Sequence, residues 1–330
     1  MSRLAVLGGG SWGTALANVL APNFERTSLW IHDPEHAKAT AESRENRSYL
    51  PGVKLHERIS VSNDTSRSLA ETDIILIAIP SAFLRETLTG LLPQIPERAL
   101  IVSATKGLEP HSQLRMTEVV SQSTGVSSDR VLALSGPSFA REVADLKPTA
   151  VVVAGRNEPV LEVQTAFARP FFRVYSSEDV TGVELGGALK NVVAIGAGMA
   201  VGLDLGHNAV SALITRGLAE LTRLAGAMGA QARTMGGLSG LGDLVLTCTG
   251  ELSRNRQLGI ELTRSRRATE VLCLNTKTTE GVRTAGVAVE LGIRLGVDMP
   301  IASQVNAVLE SRRSPEQAIR SLMERSLKEE

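Results

Sequence analysis

Short apolar runs alternate with helix-like periods through the first half of the chain. Arg3–Leu7 reads as a strand, residues 11–21 as a helix and residues 27–31 as a second strand. Residues 73–79 (Asp-Ile-Ile-Leu-Ile-Ala-Ile) form a continuous apolar run stopped by Pro80. Residues 100–104, 131–134 and 150–154 are further runs of this kind, and 171–175 reads as a last strand. Runs without polar alternation suit strands buried on both faces, as in a parallel sheet covered by helices. Helical patterns at 34–47, 81–91 and 111–123 lie between them, which predicts βαβ units. After about residue 180 strand-like runs nearly vanish. Segments 181–202, 208–228, 253–264, 280–293 and 300–310 carry helical periodicity or good helix formers. No low-complexity linker or internal repeat marks the change. The pattern predicts an α/β fold: a doubly wound N-terminal domain, residues 1–180, then an all-helical C-terminal domain, residues 181–330.

Composition narrows the classes. A chain of 330 residues that is 43% hydrophobic and 21% charged is too apolar for disorder. Lysine and arginine number 35 and so do aspartate and glutamate, a balance that argues against a nucleic-acid partner. An aromatic content of 3% leaves little for a base-stacking surface. Two cysteines, Cys248 and Cys273, are too few for a disulfide scaffold or a four-thiolate zinc site, and read as thiols of a reducing cytosol. The first apolar run stops at Gly8, too short for a signal-peptide core. Residues 185–203 are nearly apolar, but they include Lys190 and five glycines. A buried core helix is therefore expected there, and no membrane span.

Gly8-Gly9-Gly10-Ser11-Trp12-Gly13 follows a predicted strand and opens a predicted helix. Gly8 allows a tight turn, Gly10 lets the backbone approach a pyrophosphate, and Gly13 lets helix and strand pack closely. That context predicts a dinucleotide site. The acidic residue that would meet a ribose hydroxyl is due about 20 positions on, where Asp33 stands. Asp33 is equally an N-cap, with Pro34 at the first helical position. His32, Lys38 and Arg44 would suit a 2′-phosphate, so NAD(H) and NADP(H) both stay open.

Ligands of open α/β sheets sit beyond the carboxyl ends of the strands. Ile79-Pro80-Ser81, Ala104-Thr105-Lys106-Gly107 and Ser135-Gly136-Pro137-Ser138 each follow a strand. They bring a cation, a close backbone and a hydroxyl to one edge. Lys190, with Asn191 beside it, has no other charge near it between residues 185 and 203. It either snorkels to the surface or faces a cleft as a proton-transfer group, and burying an ammonium is costly unless it is paired. Downstream, Gly240-Leu241-Gly242-Asp243 leads to Ser253-Arg254-Asn255. Ser253 reads as an N-cap, which leaves backbone amides and Arg254 and Asn255 as donors for an anion of phosphate geometry. Arg264, Arg266 and Arg267 read as solvated.

With these residues assembled, the chain closely resembles the bacterial NAD(P)-dependent glycerol-3-phosphate dehydrogenases over essentially its whole length. The resemblance rests on residues 8–17, 104–109, 135–140, 186–199, 213–221, 240–249, 253–255 and the Glu280-Gly281 pair. It implies a Rossmann-type coenzyme domain and interconversion of sn-glycerol 3-phosphate and dihydroxyacetone phosphate in the cytoplasm, supplying the phospholipid backbone. Carried over, it makes Lys190 the proton acceptor. It places Lys106, Gly136, Ser138, Lys190, Asp243, Ser253, Arg254 and Asn255 on the substrate. It places Gly8, Gly10, Ser11, Trp12, Gly13, His32, Tyr49, Lys106, Ala140, Arg254 and Glu280 on NAD(H) or NADP(H). The sequence departs from the family at Thr278-Thr279, where a valine-rich approach to Glu280 is usual. The glycine-rich helical domain is compatible with a homodimer. Two other readings share parts of the pattern: a β-hydroxyacid dehydrogenase with a carboxylate substrate, and a nicotinamide sensor without catalysis.

Overall fold

The apolar runs fold as strands of one sheet. Arg3–Leu7 (β1), Arg26–Trp30 (β2), Ile59–Ser62 (β3), Ile74–Ile77 (β4), Leu100–Ser103 (β5), Val131–Ser135 (β6), Thr149–Ala154 (β7) and Phe172–Ser177 (β8) lie in the order β3-β2-β1-β4-β5-β6-β7-β8. Helices Ser11–Leu20 (α1), Pro34–Ser43 (α2), Thr65–Leu69 (α3), Ser81–Leu91 (α4), Met116–Thr124 (α5), Ala140–Ala144 (α6) and Asn157–Phe167 (α7) connect them. The structure, a computed structural model, describes residues 2–264, 268–274 and 280–326. The chain divides into two units, Met1–Glu109 with Leu114–Glu184, and Pro110–Gln113 with Leu185–Glu330.

Within the first unit the lack of polar alternation has a direct cause. Leu4 and Val6 of β1 join a cluster with Ala15, Leu16 and Leu20 of α1 and Val163 and Phe167 of α7. Ala5 and Leu7 join a second cluster with Leu84 and Leu88 of α4 and Val119 and Val120 of α5. Both faces of the strand are thus dry, and each fully buried Leu or Val contributes roughly 1.5–3 kcal/mol.

The sheet departs from the expected parallel arrangement at one place, where β6 and β7 pair antiparallel. A parallel return must run back along β6, about 16 Å for a five-residue strand. The only helix in the connection, α6, has five residues and is about 7.5 Å long. The chain turns back directly, so residues 136–148 stay at the carboxyl end of β6. The helix expected over 34–47 also stops early, at Ser43. Arg44 adopts a left-handed conformation (φ +54°), and its guanidinium donates to the carbonyls of Ile59 and His56, each at 2.6 Å. The helix expected over 111–123 begins only at Met116.

The second unit is helical: most of Val180–Gly202 (α8), then Gly206–Ala227 (α9), Ala232–Met235 (α10), Asp243–Thr249 (α11), Arg254–Arg264 (α12), Ala268–Leu274 (α13), Glu280–Leu295 (α14), Pro300–Leu309 (α15) and Pro315–Met323 (α16). By length and composition α8 could cross a membrane, but 89% of its apolar stretch is buried inside the protein. Its glycines explain how. A Cβ on Gly198 would overlap the Arg256 carbonyl of α12, and one on Gly186 would overlap the Ser239 carbonyl. α8 therefore packs backbone against backbone on both α12 and the wide turn Leu238–Gly242 that leads into α11.

Candidate active site

In the first unit, five strand ends form one polar edge. At β1, Gly8 has φ +124°, a region that favours glycine, and a Cβ there would stand 2.5 Å from the Ala78 carbonyl oxygen. A Cβ on Gly13 would overlap the carbonyl oxygen of Gly8, so the helix start and the turn touch. Gly10 is the extended N-cap of α1, has no side chain to cap the helix, and faces open space. The first amides of α1 lack intrahelical acceptors, and the helix dipole favours an anion there. The indole Nε1 of Trp12 is buried without a hydrogen-bond partner among the described residues. An uncapped helix end behind a Cβ-intolerant turn, with an orphaned donor beside it, fits a dinucleotide pyrophosphate. The β1–β4 boundary, where the strand order reverses, is also where such folds bind their ligand.

The end of β2 resolves one alternative. Asp33 accepts from the His36 amide at 2.6 Å and caps α2. Arg44, one of three residues expected to suit a 2′-phosphate, is committed to backbone carbonyls and leaves that set. His32 and Lys38 remain exposed, His32 with its ring edge-on to Trp30. Tyr49 is exposed, its ring against His36. Two residues of this edge carry no sequence signal. Asn46 is fully buried and donates to the Gly9 carbonyl at 2.8 Å. Phe83, half exposed in the first turn of α4, is an aromatic face beside the end of β4.

At β5 and β6, the Lys106 ammonium donates to the Gly136 carbonyl at 3.0 Å, and the Ser138 hydroxyl donates to the same oxygen at 2.9 Å. Gly136 has φ +131°, a region that favours glycine. Ala140 opens α6, another helix start without a side-chain cap.

In the second unit, Lys190 of α8 is buried and its ammonium donates to the carboxylate of Asp243, itself fully buried as the first residue of α11. The snorkelling alternative is thereby excluded. Next to it, Asn255 donates to Asn191 at 2.9 Å and accepts from the Gly281 amide at 3.2 Å. Asn255 thus clamps α8, α12 and the start of α14, beside Glu280, through one hydrogen of its Nδ2 and its Oδ1. Ser253 caps α12, accepting from the Arg256 amide at 3.2 Å, and Arg254 stands exposed at the helix start. Burial pushes the Cys248 thiol up to about 12, with Lys190 and Arg256 opposing, so it is protonated and inert. Thr278 and the Cys273 side chain lie outside the described residues. Among the described residues no cluster could hold a metal.

A doubly wound sheet with a dinucleotide turn, followed by helices that bury a lysine–aspartate pair, defines a nicotinamide-dependent oxidoreductase. The family described as NAD-dependent glycerol-3-phosphate dehydrogenase matches through its N-terminus over residues 3–161 and its C-terminus over residues 179–320. The chain is 47% identical to the glycerol-3-phosphate dehydrogenase (NAD(P)+) of Citrifermentans bemidjiense, across 99% of this chain and 98% of that one. It is 46% identical to the enzyme of that name from Koribacter versatilis, across 98% of each. The crystal structure of the glycerol-3-phosphate dehydrogenase of Coxiella burnetii superposes with a TM-score of 0.93 at 38% identity, covering 98% of this chain and 99% of that one. The chain belongs to the NAD-dependent glycerol-3-phosphate dehydrogenase family.

Proposed function

We propose that the chain interconverts dihydroxyacetone phosphate and sn-glycerol 3-phosphate, with Lys190 as the proton donor and acceptor. The buried Lys190–Asp243 pair carries this reading, since burying an ion pair costs desolvation that an apolar core of the same shape avoids. A bound nicotinamide supplies or removes the hydride. In the reducing direction, the Lys190 ammonium hydrogen-bonds the ketone oxygen and delivers a proton as the alkoxide develops, a contribution of about 10²–10⁴ in rate. In the other direction the neutral amine removes the hydroxyl proton. Asp243 holds the Lys190 side chain in place in both directions. Arg254 and the capped start of α12 bind the phosphate, remote from the reacting carbon, and fix its position.

The other substrate contacts of this reading are Lys106, Gly136, Ser138 and Asn255. Gly8, Gly10, Ser11, Trp12, Gly13, His32, Tyr49, Ala140 and Glu280 hold the coenzyme. The product serves phospholipid synthesis in the cytoplasm, and the enzyme works as a homodimer. Following NADPH and NADH oxidation side by side tests the reading, with dihydroxyacetone phosphate or a β-keto acid as acceptor. Oxidation with dihydroxyacetone phosphate alone is expected. Oxidation with the β-keto acid alone would overturn it.

A further inference from the structure

One buried amide ties the glycine turn to three other segments, and its orientation can be assigned atom by atom. The Asn46 Nδ2 stands 2.8 Å from the Gly9 carbonyl oxygen and 2.8 Å from the Thr14 hydroxyl. A carbonyl only accepts, so the group facing Gly9 is the amide nitrogen. The Oδ1 then faces His36 Nε2 at 2.8 Å and the Tyr49 backbone amide at 3.3 Å. Both must donate to it, so His36 carries a hydrogen on Nε2. Two donors and two acceptor directions are all in use, which suits a side chain with no exposure to water.

The consequence lies in the peptide that this amide holds. A trans peptide keeps its carbonyl and its N–H on opposite sides, and the described residues contain no cis bond. With the Gly9 carbonyl drawn to buried Asn46, the Gly10 N–H points the opposite way, out of the interior. A Gly-Gly peptide has little intrinsic preference for one orientation, so something outside it must choose. We infer that Asn46 is a positioning residue for the coenzyme: it locks the Gly9–Gly10 peptide so that the Gly10 amide is presented to the pyrophosphate, and it seats Tyr49 with the same oxygen. This rests on reading the glycine turn as the coenzyme site.

The test measures coenzyme affinity by tryptophan fluorescence, together with kcat and both KM values, for Asn46→Ala, Asn46→Asp and His36→Ala. Asn46→Ala should weaken coenzyme binding about tenfold to a hundredfold. Its kcat at saturating coenzyme and its KM for dihydroxyacetone phosphate should stay within about threefold. Asn46→Asp, though closer in size, should bind coenzyme more weakly still, because a carboxylate oxygen would face the Gly9 carbonyl beside the pyrophosphate. His36→Ala should weaken binding less than Asn46→Ala. Unchanged coenzyme affinity in Asn46→Ala would overturn the proposal, as would parallel changes in kcat and both KM values. If neither Asn46 variant folds, unchanged affinity in folded His36→Ala overturns it. A wild-type protein that binds neither coenzyme overturns the coenzyme reading itself, an outcome distinct from wild-type binding matched by the variants.

Discussion

Lys190 on α8 meets Asp243 at the start of α11, and Asp243 is fully buried. Breaking a buried ion pair by removing one partner costs about 3–5 kcal/mol. Asp243→Asn should therefore lower kcat by about 10² or more and also lower the melting temperature. Lys190→Ala should abolish turnover while coenzyme affinity survives. Steady-state kinetics and coenzyme titration check both, and near-wild-type turnover of Lys190→Ala would remove the proton-transfer role.

Arg254 is exposed at the start of α12, where its loss leaves no buried charge. Arg254→Ala should act on the phosphate alone, raising KM for dihydroxyacetone phosphate about tenfold to a hundredfold with little loss of stability. An unchanged KM would count against the phosphate site.

Two helical glycines should respond in opposite directions to the same substitution. Gly198→Ala pushes a Cβ into the Arg256 backbone carbonyl, which cannot yield without separating α8 from α12. A loss of about 1–3 kcal/mol or more is expected. Gly226, near the end of α9, has nothing within 4 Å of its Cβ position, and Gly226→Ala should stabilise by about 0.4–1 kcal/mol. Denaturant melts of the two variants decide this.

Glu220 of α9 accepts from the amides of Ile301 and Ala302 at 2.8 and 2.9 Å, at the start of α15. Burial pushes its carboxyl from 4.5 up to about 7, against the pull of those two amides and of Arg223. The folded chain thus keeps this proton where the unfolded chain has lost it. Stability from this group is full below about pH 4.5 and declines as pH rises through about 7. Melting temperatures measured between about pH 5 and pH 8 should fall for the wild type and fall less for Glu220→Gln. Equal slopes would refute the assignment.

Much of this architecture is legible in the sequence, and the gaps have physical causes. β1 and α4 stand where the pattern predicts, because a strand dry on both faces and a helix bounded by Pro80 have strong local signals. The direction of β7 is invisible, since an apolar strand reads alike whichever way it runs. β3 and α7 have weaker signals: β3 has one buried position followed by three half-buried ones, and α7 breaks its apolar positions with Glu158, Pro159 and Glu162. Lys190 was recognisable because a charge in an apolar helix is conspicuous. Asn46 was not, because its meaning lies in Gly9, Thr14 and His36, which sequence spacing does not connect to it.

The reversal between β6 and β7 has one more consequence. The stretch 136–148, with Ser138 and Ala140, is strung between two strands that are bonded to each other. Its ends are already fixed, so lengthening it carries little entropic penalty, about 0.6 kcal/mol per doubling. Gly8 and Gly13 have no such latitude, being wedged against backbone. Over evolutionary time, the length of the tethered stretch can drift while the glycine turn stays as it is.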